Sequence, residues 1–137
     1  MRGLRLAAVI LATVSCTAGG AARGEVVFKK TLISATETLN IGEWNLAEED
    51  VPLVGRQRWR VRMQQLHGGK QEGVQIITVH NGRLEFTVVP TRGMGILQAR
   101  LGQVRLGWQS PVHEIVHPQF VNLAAREGLG WLDGFNE

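Results

Sequence analysis

Residues 84–108 read LEFTVVPTRGMGILQARLGQVRLGW, and this stretch decides the fold class. Apolar residues recur at alternate positions in short runs, and breaks containing glycine separate the runs. This is the pattern of β-strands joined by tight turns. The break at residues 90–95 places Arg92 among glycines, where the backbone can approach a ligand closely. The stretch therefore predicts a sheet with one interruption that faces a ligand.

The same pattern continues on the N-terminal side of this stretch. Residues 81–82 are Asn-Gly between two apolar runs, which is the strongest short-range signal of a β-hairpin. Antiparallel strands with one apolar face need a further layer to cover it. We therefore predict an all-β, antiparallel fold. Its strands are residues 74–79, 84–89, 96–101 and 104–108, the last with Val104, Leu106 and Trp108 turned inward.

The region before residue 67 is less regular. Residues 25–33 suit a short strand, and Asn45 could cap a short helix over residues 46–50 that Pro52 would stop. In residues 56–63 arginines alternate with other residues, so a strand would place them on one face. A solvated strand face is favoured there, with a polyanion-binding stripe as the alternative. The arginines concerned are Arg56, Arg58, Arg60 and Arg62.

The N-terminus predicts an export signal. Residues 1–5 are positively charged, residues 6–14 are apolar apart from one threonine, and small residues follow as far as Ala22, where cleavage would fit. The apolar run is shorter than the roughly 20 residues of a membrane-spanning helix. Cys16 is the only cysteine and permits a lipoprotein interpretation, but a discarded peptide is favoured. Export without disulfides indicates a bacterial periplasm or the extracellular space.

The net charge of +3 comes from this N-terminal segment. The chain has 15 basic and 12 acidic residues, and three of the arginines lie in residues 1–24, which contain no acid. The remainder is therefore neutral. This removes the argument from net charge for nucleic-acid binding, and we expect no nucleic-acid partner.

Residues 113–117, His-Glu-Ile-Val-His, match the H-E-x-x-H motif of zinc proteases. That chemistry requires a helix that places both histidines on one face. Pro111 and Pro118 flank the motif, and the second disfavours helical backbone at His117. No further histidine follows to supply a third ligand. We expect no metal site and no cofactor.

The second half of the chain resembles a known family. Residues 68–137 are similar to the aldose 1-epimerase-like, or galactose mutarotase-like, proteins of the DUF4432 type. The motifs in order are GKQEGV (69–74), NGRL (81–84), VPTRGMGI (89–96), GWQSP (107–111), HP (117–118) and EGLGWLDGF (127–135).

The resemblance implies an antiparallel β supersandwich that binds a sugar in a groove on its concave sheet. The sequence as a whole predicts a signal peptide at residues 1–24, a strand and linker segment at 25–66, and the N-terminal portion of the sandwich at 67–137. Mutarotases act by general acid–base catalysis, usually with a His and a Glu. Both lie later in that fold than this sequence reaches. We therefore expect a fragment, incomplete in catalysis and an isomerase only if a C-terminal half completes it.

Two site residues are implied by the resemblance, and no catalytic residue is assigned. Arg92 matches the R-G-M motif and is expected to face the sugar, with bracing of the loop against a carbonyl as the alternative. His117 matches the His-Pro motif and is expected either to line the groove or, as the favoured alternative, to be structural. The predicted function is aldose binding. The alternative is an exported, non-catalytic β-module whose apolar C-terminal loops pack against a partner or a missing half.

Overall fold

The computed structural model describes residues 28–51 and 58–134. The chain divides into two compact units, residues 1–41 and 42–137. The strands are β1 Ile33–Ser34, β2 Leu39–Asn40, β3 Trp44–Ala47, β4 Arg60–Gln65, β5 Gln75–His80, β6 Leu84–Val89, β7 Gly95–Leu101 and β8 Val104–Leu106. A short turn, α1, spans Ala125–Gly128, and in it Arg126 and Glu127 have left-handed backbone with φ of 51° and 57°. The 3₁₀ turns span Gly69–Gln71, Pro90–Arg92, Pro118–Phe120 and Gly130–Gly134.

The first unit contains a small antiparallel pair. Strands β1 and β2 are joined by a turn in which the Ser34 hydroxyl accepts a hydrogen bond from the Glu37 amide at 3.2 Å. The predicted strand at residues 25–33 is wrong for residues 28–32, which belong to no strand. Residues 25–27 lie outside the described part. Two consecutive lysines and a threonine in this run give it no alternating apolar face that a partner strand could cover.

The second unit is built on one six-stranded antiparallel sheet. Its strand order is β3-β4-β5-β6-β7-β8, so each strand pairs with the next along the chain. The turn between β5 and β6 is closed by the Asn81 side chain, whose oxygen accepts from the Leu84 amide at 2.8 Å. Gly82 follows with a positive φ of 93°. The predicted all-β class and this hairpin are confirmed, and the sheet begins before the residue-67 boundary.

The register divides the sheet into an apolar face and a polar face. Met63 on β4 pairs with Ile77 on β5, and both side chains are fully buried on the apolar face. Arg60 and Arg62 point to the opposite side and are exposed, as the alternation in β4 predicts. Arg56 lies outside the described residues. The polar side chains on the second face include Arg60, Arg62, Gln64, Thr78, His80, Glu85, Thr87, Gln98, Arg100 and Arg105. Asn45, Ala47 and Ile76 share this face.

The predicted helix over residues 46–50 is wrong. Residues Trp44–Ala47 form β3 and pair with β4, where Trp44 is opposite Met63 and Leu46 is opposite Val61. The strand ends in a turn in which the Asp50 carboxylate accepts from the Ala47 amide at 2.9 Å. Cross-strand packing of two alternate apolar side chains outweighs the weak capping signal of Asn45.

The prediction that the last strand turns its apolar face inward is also wrong. Val104 is 61% exposed, Leu106 is 43% exposed and Trp108, which follows β8, is 55% exposed. A period of two fixes which side chains share a face, but it does not say whether another layer covers that face. Among the described residues, nothing covers this edge of the sheet. Residues 109–134 are loop-like, as expected, apart from short 3₁₀ turns and α1.

The described residues include no helix long and apolar enough to cross a membrane.

Candidate functional site

Three loops meet at one end of strands β5, β6 and β7. They are residues 69–74, 90–95 and 113–118, and we call them the loop cluster. The first connection lies between the second loop and the start of β5, where the Gln75 amide donates to the Thr91 hydroxyl at 2.8 Å. Three of the six motifs that carry the family resemblance fall in or overlap these loops, namely residues 69–74, 89–96 and 117–118.

The loop at residues 90–95 has an unusual backbone. Pro90 ends β6 and begins a 3₁₀ turn, because proline has no amide hydrogen to extend the ladder. Gly93 and Met94 then both adopt left-handed backbone, with φ of 71° and 68°. The Met94 amide donates to the Val89 carbonyl at 3.1 Å and closes the loop. This geometry is costly for a side chain such as methionine, and it fixes the position from which Arg92 projects.

Arg92 reaches across the cluster to the third loop. Its Nη1 donates to the carbonyl oxygen of Val116 at 3.1 Å, and Val116 is only 2% exposed. A side chain placed on Gly134 would come within 3.0 Å of the same nitrogen. The guanidinium is half-buried between these segments. The geometry gives Arg92 the bracing contact that the sequence left as an alternative, and its contact with a sugar remains a prediction.

His117 follows Val116 directly and is half-buried. Its amide donates to the Lys70 carbonyl at 2.7 Å, which joins the first and third loops. Its Nδ1 accepts from the Gln119 amide at 3.1 Å, so the ring caps the 3₁₀ turn Pro118–Phe120. With Nδ1 as an acceptor, this hydrogen-bond assignment leaves Nε2 as the protonated nitrogen of the neutral ring. The cluster thus brings Arg92 and His117 to adjoining positions.

The H-E-x-x-H segment does not form a helix. Residues 113–117 have no regular structure, as the flanking prolines predict. Glu114 instead turns its carboxylate to the first loop and accepts from the Lys70 amide at 2.7 Å. Glu114 therefore provides a second connection between the first and third loops, beside the bond from the His117 amide to the Lys70 carbonyl. No group of three or more His, Cys, Asp or Glu side chains suited to a metal ion occurs within residues 28–51 and 58–134.

The first loop contains one perturbed carboxyl group. Glu72 accepts from the Gly68 amide at 2.7 Å and contacts Nδ1 of His67 at 3.0 Å. The Gly68 amide, and secondly the His67 ring, hold the pKa of Glu72 below its usual range because both hydrogen bonds favour the ionised form. The interaction stabilises the local fold of this exposed turn.

The polar face of the sheet contains two adjoining cavities of about 670 and 530 Å³. They share His80 and Glu85, which are directly opposite in the register of β5 and β6. Sequence reasoning missed this pair, because the two residues belong to different strands and only the register brings them together. The remaining polar lining is Glu48, Glu49, Arg58, Arg60, Arg62, Gln64, Thr78, Arg83, Arg100 and Gln103, with Trp59 at one end. Arg92 and His117 line neither cavity.

Comparison with known proteins identifies relatives of this chain. Residues 71–137 match the family described as "Domain of unknown function (DUF4432)". A crystal structure of a "putative aldose 1-epimerase" from Klebsiella pneumoniae subsp. pneumoniae is 43% identical, with a TM-score of 0.73 over 77% of this chain. The match spans only 28% of that protein. No curated protein matches the chain. The resemblance and the fold class predicted from the sequence are confirmed.

Proposed function

We propose that this chain, which is aldose 1-epimerase-like and carries the DUF4432 family match in residues 71–137, binds an aldose at its loop cluster. The observation that carries the proposal is the likeness to the Klebsiella structure, at 43% identity and a TM-score of 0.73. That level of identity over 77% of the chain goes beyond a shared fold. Because the match spans 28% of the other protein, binding rather than turnover is the activity proposed.

The loop cluster supports this proposal by its chemistry. A guanidinium and an imidazole are groups that hydrogen-bond sugar hydroxyls, and here they occupy adjoining positions joined through Val116. The loops that carry these groups are fixed by the Lys70 amide, which donates to Glu114, and by the Lys70 carbonyl, which accepts from the His117 amide. The bond from the Gln75 amide to the Thr91 hydroxyl fixes the second loop. A fixed arrangement of donors lowers the entropy lost when a sugar binds.

A titration tests the proposal. Galactose and glucose are added to the purified chain while tryptophan fluorescence is followed, and we expect a saturable change. Arg92→Gln and His117→Gln should each weaken binding at least about fivefold, since each removes a polar contact worth about 1 kcal/mol. Lys29→Gln, an exposed lysine in the first unit, is the control and should bind as the parent chain does. Absence of a saturable response to any aldose would refute the proposal.

We further propose that the chain alone does not catalyse mutarotation. Anomer exchange requires a base at the anomeric hydroxyl and an acid at the ring oxygen. No residue of the loop cluster is assigned to either role. Polarimetry with freshly dissolved galactose should therefore show the same rate with and without the chain. An accelerated rate would refute this part of the proposal.

A second candidate function, that of an exported β-module that packs against another protein segment, is favoured by one observation. Large apolar side chains are exposed at the β7–β8 edge and in the C-terminal loops, including Ile96 at 60% and Leu123 at 66%. Exposed apolar patches commonly mark interaction sites. If this candidate is correct, Ile96→Thr with Val104→Thr should reduce concentration-dependent association in sedimentation, whereas sugars should have no effect on fluorescence.

We also propose that residues 1–24 contain an export signal that is cleaved after Ala22. The support is the tripartite pattern of the N-terminal residues. Expression of the whole chain in a bacterial host followed by mass spectrometry of the periplasmic fraction tests it. The expected mature chain begins after Ala22. An intact N-terminus, or a lipid attached to Cys16, would contradict the proposed processing.

A further inference from the structure

The polar face carries a row of ionisable side chains that runs across four strands. Arg60 on β4 is opposite His80 on β5, His80 is opposite Glu85 on β6, and Glu85 is opposite Arg100 on β7. Neighbouring strands lie about 4.8 Å apart, so the two arginines are separated by roughly 14 Å at the backbone. A row of this length faces the two adjoining cavities, which together form what we call the polar trough.

Three arginines of the polar trough form no contact that holds the described part of the fold together. Arg60, Arg62 and Arg100 are exposed, and their side chains make no ion pair or hydrogen bond with any described residue. Glu85 is likewise unpaired within the described ranges, although it is opposite Arg100 in the register. Five arginines and three glutamates line the trough, so it has a modest excess of positive charge. Unpaired guanidinium groups around a cavity suit a ligand that carries carboxylates.

The remaining lining suits hydroxyl groups. Nδ1 of His80 accepts from the Gly82 amide at 3.2 Å, which assigns the proton of the neutral ring to Nε2. The Thr78 hydroxyl lines the trough and is hydrogen-bonded at 3.0 Å to the hydroxyl of Thr87, which is itself buried. The glutamate carboxylates can accept hydrogen bonds from sugar hydroxyls. Trp59 is the single aromatic side chain of the lining, and nucleic-acid grooves need repeated stacking platforms.

We propose that the polar trough is a second carbohydrate site, separate from the loop cluster, which binds an acidic oligosaccharide whose sugar rings carry carboxylate groups. The carboxylates pair with Arg60 and Arg100 at the two ends of the row. The hydroxyls contact His80 and Glu85 between them. The length of the row suits several linked sugars better than a single hexose. The saccharide part of this inference rests on the proposed function, whereas the anionic part rests on the arginines alone.

Calorimetric titration with three probes tests the inference. Tetragalacturonate is the acidic probe, maltotetraose is the neutral probe of equal length, and a short oligothymidylate is the non-saccharide anion. We expect tetragalacturonate to bind at least about tenfold more tightly than maltotetraose, since two charge-assisted contacts distinguish them. Equal affinity for the two tetrasaccharides, no binding of tetragalacturonate, or tighter binding of the oligothymidylate would overturn the inference.

Arginine variants test whether tetragalacturonate binds in the polar trough. Arg60→Gln with Arg100→Gln should weaken tetragalacturonate binding about tenfold or more and should remove its advantage over maltotetraose. Both arginines are exposed and unpaired, so the fold should survive, which circular dichroism checks. Lys29→Gln controls for loss of charge, and Arg92→Gln separates the two sites, because it should weaken aldose binding and leave tetragalacturonate binding unchanged. An equal loss with Lys29→Gln or Arg92→Gln would overturn the assignment.

Discussion

Arg92 joins two loops through one contact with a buried carbonyl. Its replacement by glutamine shortens the side chain and removes the donor at 3.1 Å from the Val116 oxygen. A buried carbonyl without its partner destabilises the fold, and for a half-buried arginine we expect a loss of about 1 kcal/mol in the free energy of unfolding. Urea denaturation measures the difference between Arg92→Gln and Lys29→Gln. Equal stability of the two variants would show that the contact does not brace the cluster.

Glu114 distinguishes two interpretations of residues 113–117. It is either part of a zinc motif or a clamp, which means a hydrogen-bond acceptor that joins the third loop to the first. In the clamp its carboxylate accepts the Lys70 amide, and glutamine at the same position keeps an acceptor. We therefore expect Glu114→Gln to unfold at nearly the temperature of the parent chain, and treatment with EDTA to leave both temperatures unchanged. Metal analysis of the purified protein provides the opposing test. Stoichiometric zinc would contradict the clamp interpretation.

Glu72 gives the first loop a dependence on pH. Its pKa is lowered by the Gly68 amide and, secondly, by His67, so the folded carboxylate holds its proton less tightly than the unfolded one. The stabilisation is therefore present above the unfolded value near 4.3 and is lost as the pH falls through the lower folded pKa. A carbon-detected NMR titration should place the Glu72 midpoint below the midpoint measured in the urea-unfolded chain, and Glu72→Gln should remove that resonance. A folded midpoint at or above the unfolded one would contradict the hydrogen-bond geometry.

At the scale of elements, the hairpin between β5 and β6 depends on Gly82. Its φ is 93°, and a side chain there would lie 3.1 Å from the Arg58 carbonyl. Gly102 in the next hairpin has a φ of 58° with open space around it. Each alanine variant is forced into left-handed backbone, which lowers the free energy of unfolding by about 1 kcal/mol. Only Gly82→Ala adds a steric conflict. Thermal unfolding should show the larger loss for Gly82→Ala. A larger loss for Gly102→Ala would contradict the register described.

The strands from β5 to β7 could be predicted closely, because alternation and the Asn-Gly turn are local signals. Strand β3 could not, since its pairing with β4 depends on residues 13 or more positions away that no local pattern reports. The exposure of Val104 was missed for a related reason, because alternation does not show what covers a face. Within the sites, Arg92 and His117 came from motifs. The opposition of His80 and Glu85 is visible only in the register.

At the scale of the whole molecule, a single antiparallel meander carries two separate polar regions. The loop cluster lies where β5, β6 and β7 meet their connecting loops, and the polar trough lies on one sheet face toward the hairpin at Asn81 and Gly82. The comparison structure shares the fold of this meander over 28% of its own length. The central claim is therefore local: an aldose binds where Arg92 and His117 adjoin.

The measurement that tests this claim most directly is an NMR titration of the isotope-labelled chain with galactose, in which every backbone amide reports its own environment. We predict saturable shifts concentrated in residues 90–95 and 113–118, with the amides of residues 101–104 unmoved. Arg92→Gln should reduce these shifts at equal sugar concentration. Shifts that are absent at saturating galactose, or that fall outside the loop cluster, would contradict the account.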